Sequence, residues 1–312
     1  MNHWKGAYRG VNTVGAYVAT LLLFLAGWLL LGNLPLLAAM LAKGVTTLED
    51  LAAVCPENVY LLLMLSSFAI GLLALILCIR VFHRRGFRMV ANGGRPLRWG
   101  HFLTAFGLYF LAMAIVQGRD LLWHPENFEW QFDAAAFVRV LPVLLLFVPL
   151  QTLFEEFFFR GYLMQSLVVG TKRVWIAWLL SALLFGFAHS ANPEVGAYGY
   201  TVMMLQYLLF GLLFGWFALA DEGIEVSWGM HTANNLFLLL FVTEEHSALP
   251  TPALWRQLDA TPSLKDIFQL LFLVGVLWVV LERIYRWKLP SLRKIANPGE
   301  EETPAVENKE VI

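Results

Sequence analysis

The groups that could do chemistry in this sequence are six polar side chains set inside apolar runs. Glu155 and Glu156 are adjacent, with Arg160 four residues on, in Phe154-Glu155-Glu156-Phe157-Phe158-Phe159-Arg160. His189 closes a second run, four residues after Phe185, and His231 stands four residues before Asn235 in a third. An ionised side chain at a bilayer centre costs about 2.5–3.5 kcal/mol on insertion scales. Three in one span therefore need partners or water. Glu156 and Arg160 share a helix face at i,i+4 and can neutralise each other. Glu155 is turned by about 100° from Glu156 and has no local partner, so the two imidazoles are the groups expected to meet it.

A carboxylate, two imidazoles and a carboxamide in a dry pocket can hydrolyse an amide. Glu155 would be the general base that takes a proton from the attacking water. His231 and Asn235, one turn apart, would point N–H groups at the developing oxyanion, such donors being worth about 3–4 kcal/mol each. His189 would hold the water or protonate the leaving amine. No Ser or Cys nucleophile is required, and G-x-S-x-G is absent. One Glu and two His also make a catalytic zinc set, here Glu155, His189 and His231, although the helical spacing H-E-x-x-H is missing. Spacing alone leaves a glutamate-activated water, which needs no cofactor, and a zinc-bound water both open. The bland readings are that Asn234 and Asn235 are hydrogen-bonding glue between helices, that Glu156–Arg160 is a structural pair, and that the phenylalanines around them pack or meet lipid.

The elements that must carry these groups are membrane spans. Of 312 residues, 59% are hydrophobic and 14% charged, with mean hydropathy +0.63. A soluble domain carries about 25% charged residues, so the pattern is that of an all-α polytopic membrane protein. Eight spans are expected, at 14–41, 59–82, 102–116, 137–164, 174–189, 200–220, 228–242 and 267–285. The organisation that follows is a cytoplasmic N-terminus (1–13), about three N-terminal spans (14–136), a catalytic core of about four helices (137–242), a last loop with the final span (243–289), and a disordered cytoplasmic tail (290–312). The first run is too long for a signal-peptide core and reads as a retained span. Sixteen Lys and Arg fall on the side holding both termini and five on the other. The positive-inside rule therefore makes both termini cytoplasmic, in the plasma (inner) membrane if the source is bacterial. The net charge of −1 suggests no nucleic-acid partner, and Cys55 and Cys78 form no motif.

Depth along the spans is a test of convergence. Glu155 lies about 15 Å from the cytoplasmic end of a span ending at Met164, and His231 and Asn235 lie about 5–10 Å into theirs. His189, about 22 Å deep, fits less well, and requires its helix to tilt or to begin in the cytosol.

Glu155-Glu156-x-x-x-Arg160, Phe185-x-x-x-His189 and His231-x-x-x-Asn235, in that order, resemble the three motifs of the CPBP (ABI) family of intramembrane proteases, related to the type II CAAX prenyl endopeptidases. The resemblance covers 137–240 and departs from none of the three motifs. It implies an eight-helix core, a cavity open to the cytoplasm, and endopeptidase action on peptide or protein substrates, including prenylated or hydrophobic C-termini, among membrane lipids. By that resemblance Glu155 is the base, His189 orients water, His231 and Asn235 form the oxyanion site, and Glu156, Arg160 and Phe185 support them. The family also contains bacteriocin-immunity and scaffold proteins. Two rivals use the same residues otherwise: a transporter or proton-relay carrier, and a non-catalytic scaffold. The first would be marked by an inverted repeat, which the sequence lacks.

Overall fold

The computed structural model describes residues 3–287; the expected disordered tail lies outside the described residues. Six helices among them are long and apolar enough to cross a membrane: α1 (Val14–Lys43), α2 (Glu57–His83), α3 (Trp99–Trp123), α4 (Ala134–Thr171), α6 (Tyr200–Asp221) and α8 (Leu264–Tyr285). The other two expected spans are helices of 15 and 17 residues, α5 (Val174–Ala188) and α7 (Glu225–Phe241). The chain is an all-α membrane protein in its bulk. Leucines on the outer faces, such as Leu30, Leu73 and Leu103, are more than 60% exposed, an arrangement that acyl chains rather than water can solvate.

One element departs from the all-helical expectation. Short strands β1 (Phe128–Trp130), β2 (Val242–Glu244) and β3 (Trp255–Gln257) form a sheet in the order β1-β3-β2. β1 runs antiparallel to β3 and β2 parallel to it, with Trp130 opposite Trp255 and Val242 opposite Trp255. The sheet ties the end of α3, the end of α7 and the approach to α8 at the end of the bundle remote from the arginine-rich segment 80–98. Three-residue strands carry too little periodicity to be read from a hydrophobic pattern.

α7 is the axis. Every residue from Glu225 to Ala233 is buried, so the polar ones lie inside protein rather than against lipid. Close packing makes this possible: a Cβ on Gly229 would sit 2.3 Å from the Phe102 carbonyl of α3. α4 is fastened to α7 by Thr152–Thr232 hydroxyls at 2.7 Å and by the Trp228 indole N–H donating to the Pro149 carbonyl at 2.9 Å. Phe154 and Phe157 are buried among Phe24, Trp28 and Phe87, which makes them packing residues.

α4 does not stop near Met164. It widens into a π-helical stretch, Phe157–Leu163, and continues to Thr171. Such widened turns are rare and concentrate at functional sites. Gln165, which reads as the end of the apolar run, is fully buried and hydrogen-bonded to Arg85 at 3.1 Å. Cys55 and Cys78 are both free.

Candidate active site

The longer α4 brings the depths into agreement. Glu155 stands sixteen residues before Thr171, about 24 Å by helix rise, and His189 follows Val174 by fifteen, about 22 Å. His231 lies only six residues into α7, but that helix begins inside the bundle, with Glu225 completely buried. No unusual tilt of α5 is needed.

The three motifs meet. Glu155 is buried, and its Oε2 lies 3.7 Å from His189 Nε2 and 3.8 Å from His231 Nε2. Both separations exceed a direct hydrogen bond, and Oε2 has no hydrogen-bond partner. The second ring nitrogen of each imidazole is committed. His189 Nδ1 lies 2.8 Å from the Phe185 carbonyl, one turn back. His231 Nδ1 lies 2.9 Å from Glu156 Oε1. Both partners only accept, so each Nδ1 carries a proton, and the Nε2 of each ring, a lone pair in the neutral form, is turned toward Glu155. Three acceptors facing one gap need a donor or a cation between them.

Glu156 does more than balance Arg160. Its Oε1 accepts from Arg160 Nη1 at 2.8 Å and from His231 Nδ1, so one buried carboxylate orients the imidazole and neutralises the guanidinium. Arg160 lies 4.2 Å over the Phe185 ring and donates to the Gly211 carbonyl at 3.3 Å. Gly211 is required there, since a Cβ would come within 2.8 Å of the Ala182 carbonyl. Phe185 thus joins the motifs: its ring faces Arg160 and both imidazoles, and its carbonyl sets His189.

One expectation needs correction. Glu155 does have a local partner: Gln151, one turn back, donates its Nε2 to Glu155 Oε1 at 2.7 Å. The i,i+4 spacing was there to be read, but an uncharged amide raises no alarm in an apolar run. Asn235 lines the same cavity as His231, and there its Nδ2 donates to Gln151 Oε1 at 3.3 Å and its Oδ1 accepts from Asn234. Asn235 reaches Glu155 through Gln151, while Asn234 accepts from the Tyr109 hydroxyl at 3.3 Å.

A cavity of about 360 Å³ adjoins these groups, with Gln151, Phe185, His189, His231 and Asn235 in its wall. Glu155 stands just behind the two imidazoles. From there the cavity runs past Tyr207, which stacks on His189 with centroids 4.6 Å apart, to Ser247 and Leu249 in the segment 242–262. It therefore leads to the end of the bundle opposite the arginine-rich loops. Glu194 and Glu244 line it too; neither stood out in the sequence, where both fall in polar loops.

Zinc suits the donor types: a carboxylate and two imidazoles whose outer nitrogens are already oriented. The fit in distance is poorer. Tetrahedral zinc sets its ligands about 3.3–3.4 Å apart, below the 3.7 and 3.8 Å seen here. Among the described residues no group of three or more His, Cys, Asp or Glu is arranged to hold a metal ion.

Comparison with known proteins points to a family. Residues 137–237 match the type II CAAX prenyl endopeptidase Rce1-like family. A Bacillus subtilis (strain 168) protein named "Uncharacterized protein YyaK" is 34% identical over 253 residues, covering 79% of this chain and 84% of that protein. No solved structure matches. With its three motifs gathered around one buried carboxylate and the matched region spanning all of them, the chain belongs to the CPBP family of CAAX-type intramembrane proteases.

Proposed function

We propose that this protein is an intramembrane endopeptidase in which Glu155 activates water against a peptide carbonyl. The observation that carries the reading is the unpartnered Glu155 Oε2 between two imidazole Nε2 atoms at 3.7 and 3.8 Å. A water there donates one proton to Glu155 and is held by an imidazole. As the proton moves to Oε2, the water oxygen bonds to the carbonyl carbon and the carbonyl oxygen takes up the negative charge. Collapse of that intermediate breaks the C–N bond, and the amine leaves with a proton passed on from Glu155 or His189. His231 serves the oxyanion when Nε2 is protonated as well, a charge that Glu156 faces directly. Asn235 serves it by exchanging its 3.3 Å contact with Gln151 for the substrate oxygen. Were zinc resident, Glu155, His189 and His231 would hold it and it would supply Lewis-acid activation of the water.

The apolar wall of Met203, Phe210, Phe214 and Leu238 suits a hydrophobic segment, and the family extends the candidate substrates to prenylated C-termini. The Lys and Arg bias supports cytoplasmic termini. Combined with the direction of the cavity, that bias supports access from the non-cytoplasmic side, against the cytoplasmic opening expected from the resemblance. A cysteine placed at Ser247, in a chain with Cys55→Ser and Cys78→Ala, should then react with an impermeant maleimide on intact cells; labelling only after permeabilisation would reverse the orientation.

The test of the reaction is cleavage of quenched peptides by purified protein in liposomes. Wild type should cut and Glu155→Gln should not, at equal folding. Chelation should leave the rate within about twofold if water is activated by glutamate alone; loss on chelation and recovery with zinc would establish the metal mechanism.

A further inference from the structure

The cavity wall contains two carboxylates beyond the catalytic set. Glu194 is 8% exposed, its Oε1 accepting from the Tyr207 hydroxyl at 2.5 Å and from Asn192 Nδ2 at 3.1 Å. Its Oε2 is buried with no hydrogen-bond partner, and the same is true of Gln206 Oε1, which also lines the cavity. Glu244, on β2, lines the same cavity, and burial, with the charge of Glu194 second, pushes its carboxyl up to about 7. Among the described residues no lysine or arginine lines the cavity, and neither Glu194 nor Glu244 takes part in an ion pair. Burying a carboxylate oxygen without a donor is costly. Acid and amide side chains lining one cavity, two of them with an oxygen that no donor meets, call for an occupant rich in donors.

We propose that Glu194, Glu244 and Gln206 form an acidic subsite that receives a lysine or arginine side chain of the peptide substrate. The inference rests on the endopeptidase reading and adds a specificity to it. An ammonium or guanidinium group offers three to five N–H donors and no acceptor, the complement of what the wall presents. The apolar stem of either residue lies along Met203 and Leu238, as long cationic side chains do on apolar surface. Tyr207 couples the two places, stacking on His189 and donating to Glu194. That chain of contacts places the subsite within about 10 Å of the imidazole, three residues of extended peptide at ~3.3 Å each. The substrate is thus a hydrophobic segment with a basic residue about three positions from the cut.

Binding separates this inference from the reaction. Full-length Glu155→Gln in detergent would be titrated with a fluorescein-labelled, leucine-rich heptapeptide bearing a central lysine, and with its norleucine counterpart, by anisotropy. The lysine peptide should bind about tenfold tighter, and Glu194→Gln/Glu244→Gln added to that background should erase the difference. Glu244→Gln alone, at the less buried position, should reduce it and guards against a double variant that fails to fold. Equal binding of the two peptides, or a preference that survives both substitutions, overturns the subsite. So does calcium raising the melting temperature in a Glu194- and Glu244-dependent way without any lysine preference, which would make the pair a cation site. Absence of cleavage by wild type would count against the endopeptidase reading alone and leave the binding result standing.

Discussion

Two clusters of buried carboxylates lie in this bundle, and they are built on opposite principles. At the turn between α6 and α7, Asp221 and Glu225 have every carboxylate oxygen met. Arg98 donates to Asp221 Oδ2 at 2.7 Å and to Glu225 Oε2 at 2.5 Å. Asn92 reaches Glu225 Oε1 at 2.6 Å, and His101 and Trp287 reach Asp221 Oδ1 at 2.8 and 3.2 Å. Glu194 in the cavity wall, and Glu155 and Glu156 behind it, each keep one oxygen satisfied and one bare. The first cluster pins the recessed start of α7. The second is left incomplete where a substrate can complete it. In an apolar bundle, an unmet carboxylate oxygen singles out a candidate working acid better than burial does.

The largest expected effect is on catalysis. Glu155→Gln keeps the shape and the hydrogen bond to Gln151 but removes the base, and should lower cleavage by about 10²–10⁴-fold with the melting temperature little changed. Next is the converse experiment at the paired cluster. Arg98→Met leaves two buried carboxylates without their cation and should cost about 3–5 kcal/mol of stability, while the rate per folded molecule holds. If instead the rate falls and stability does not, the division between the clusters is wrong. Gln151→Ala should lower kcat by about 10- to 150-fold, since a hydrogen bond to a charged group is worth about 1.5–3 kcal/mol; steady-state kinetics on the same quenched peptides checks it.

The smallest effect is a matter of pH. Burial and the neighbouring Glu194 raise the Glu244 carboxyl from 4.5 to about 7. Between those values the folded protein keeps a proton that the unfolded chain has lost, so this group's contribution to stability declines as pH rises across that window and levels off above it. Glu244→Gln should match wild type near pH 4.5 and melt higher above pH 7, a difference read from melting curves at a series of pH values.

The polar set of the site was legible in the chain because lipid is an unforgiving solvent. Glu155, Glu156, Arg160, His189 and His231 each break an apolar run, and a charge there must have a partner or a purpose. Their spacing also announced the Glu156–Arg160 contact, which depends only on one turn of helix. Gln151 escaped notice because an amide costs little enough to pass as packing. Glu194 and Glu244 escaped because they sit between spans, where a charge is ordinarily solvated.

What those two carboxylates lacked in the sequence was burial, and burial is a property of the assembled chain. It arises because α5 ends at Ala188, the chain turns back through 190–199, and the segment 242–262 supplies part of the cavity wall. The depth of His189 was likewise undecidable from runs of apolar residues, since α4 continues seven residues past Met164, where Gln165 finds partners inside protein. Local composition tells which side chains are costly to bury. Only the packing of α4, α5, α6 and α7 against one another decides which of them are left with an unmet atom, because that depends on neighbours tens of residues away.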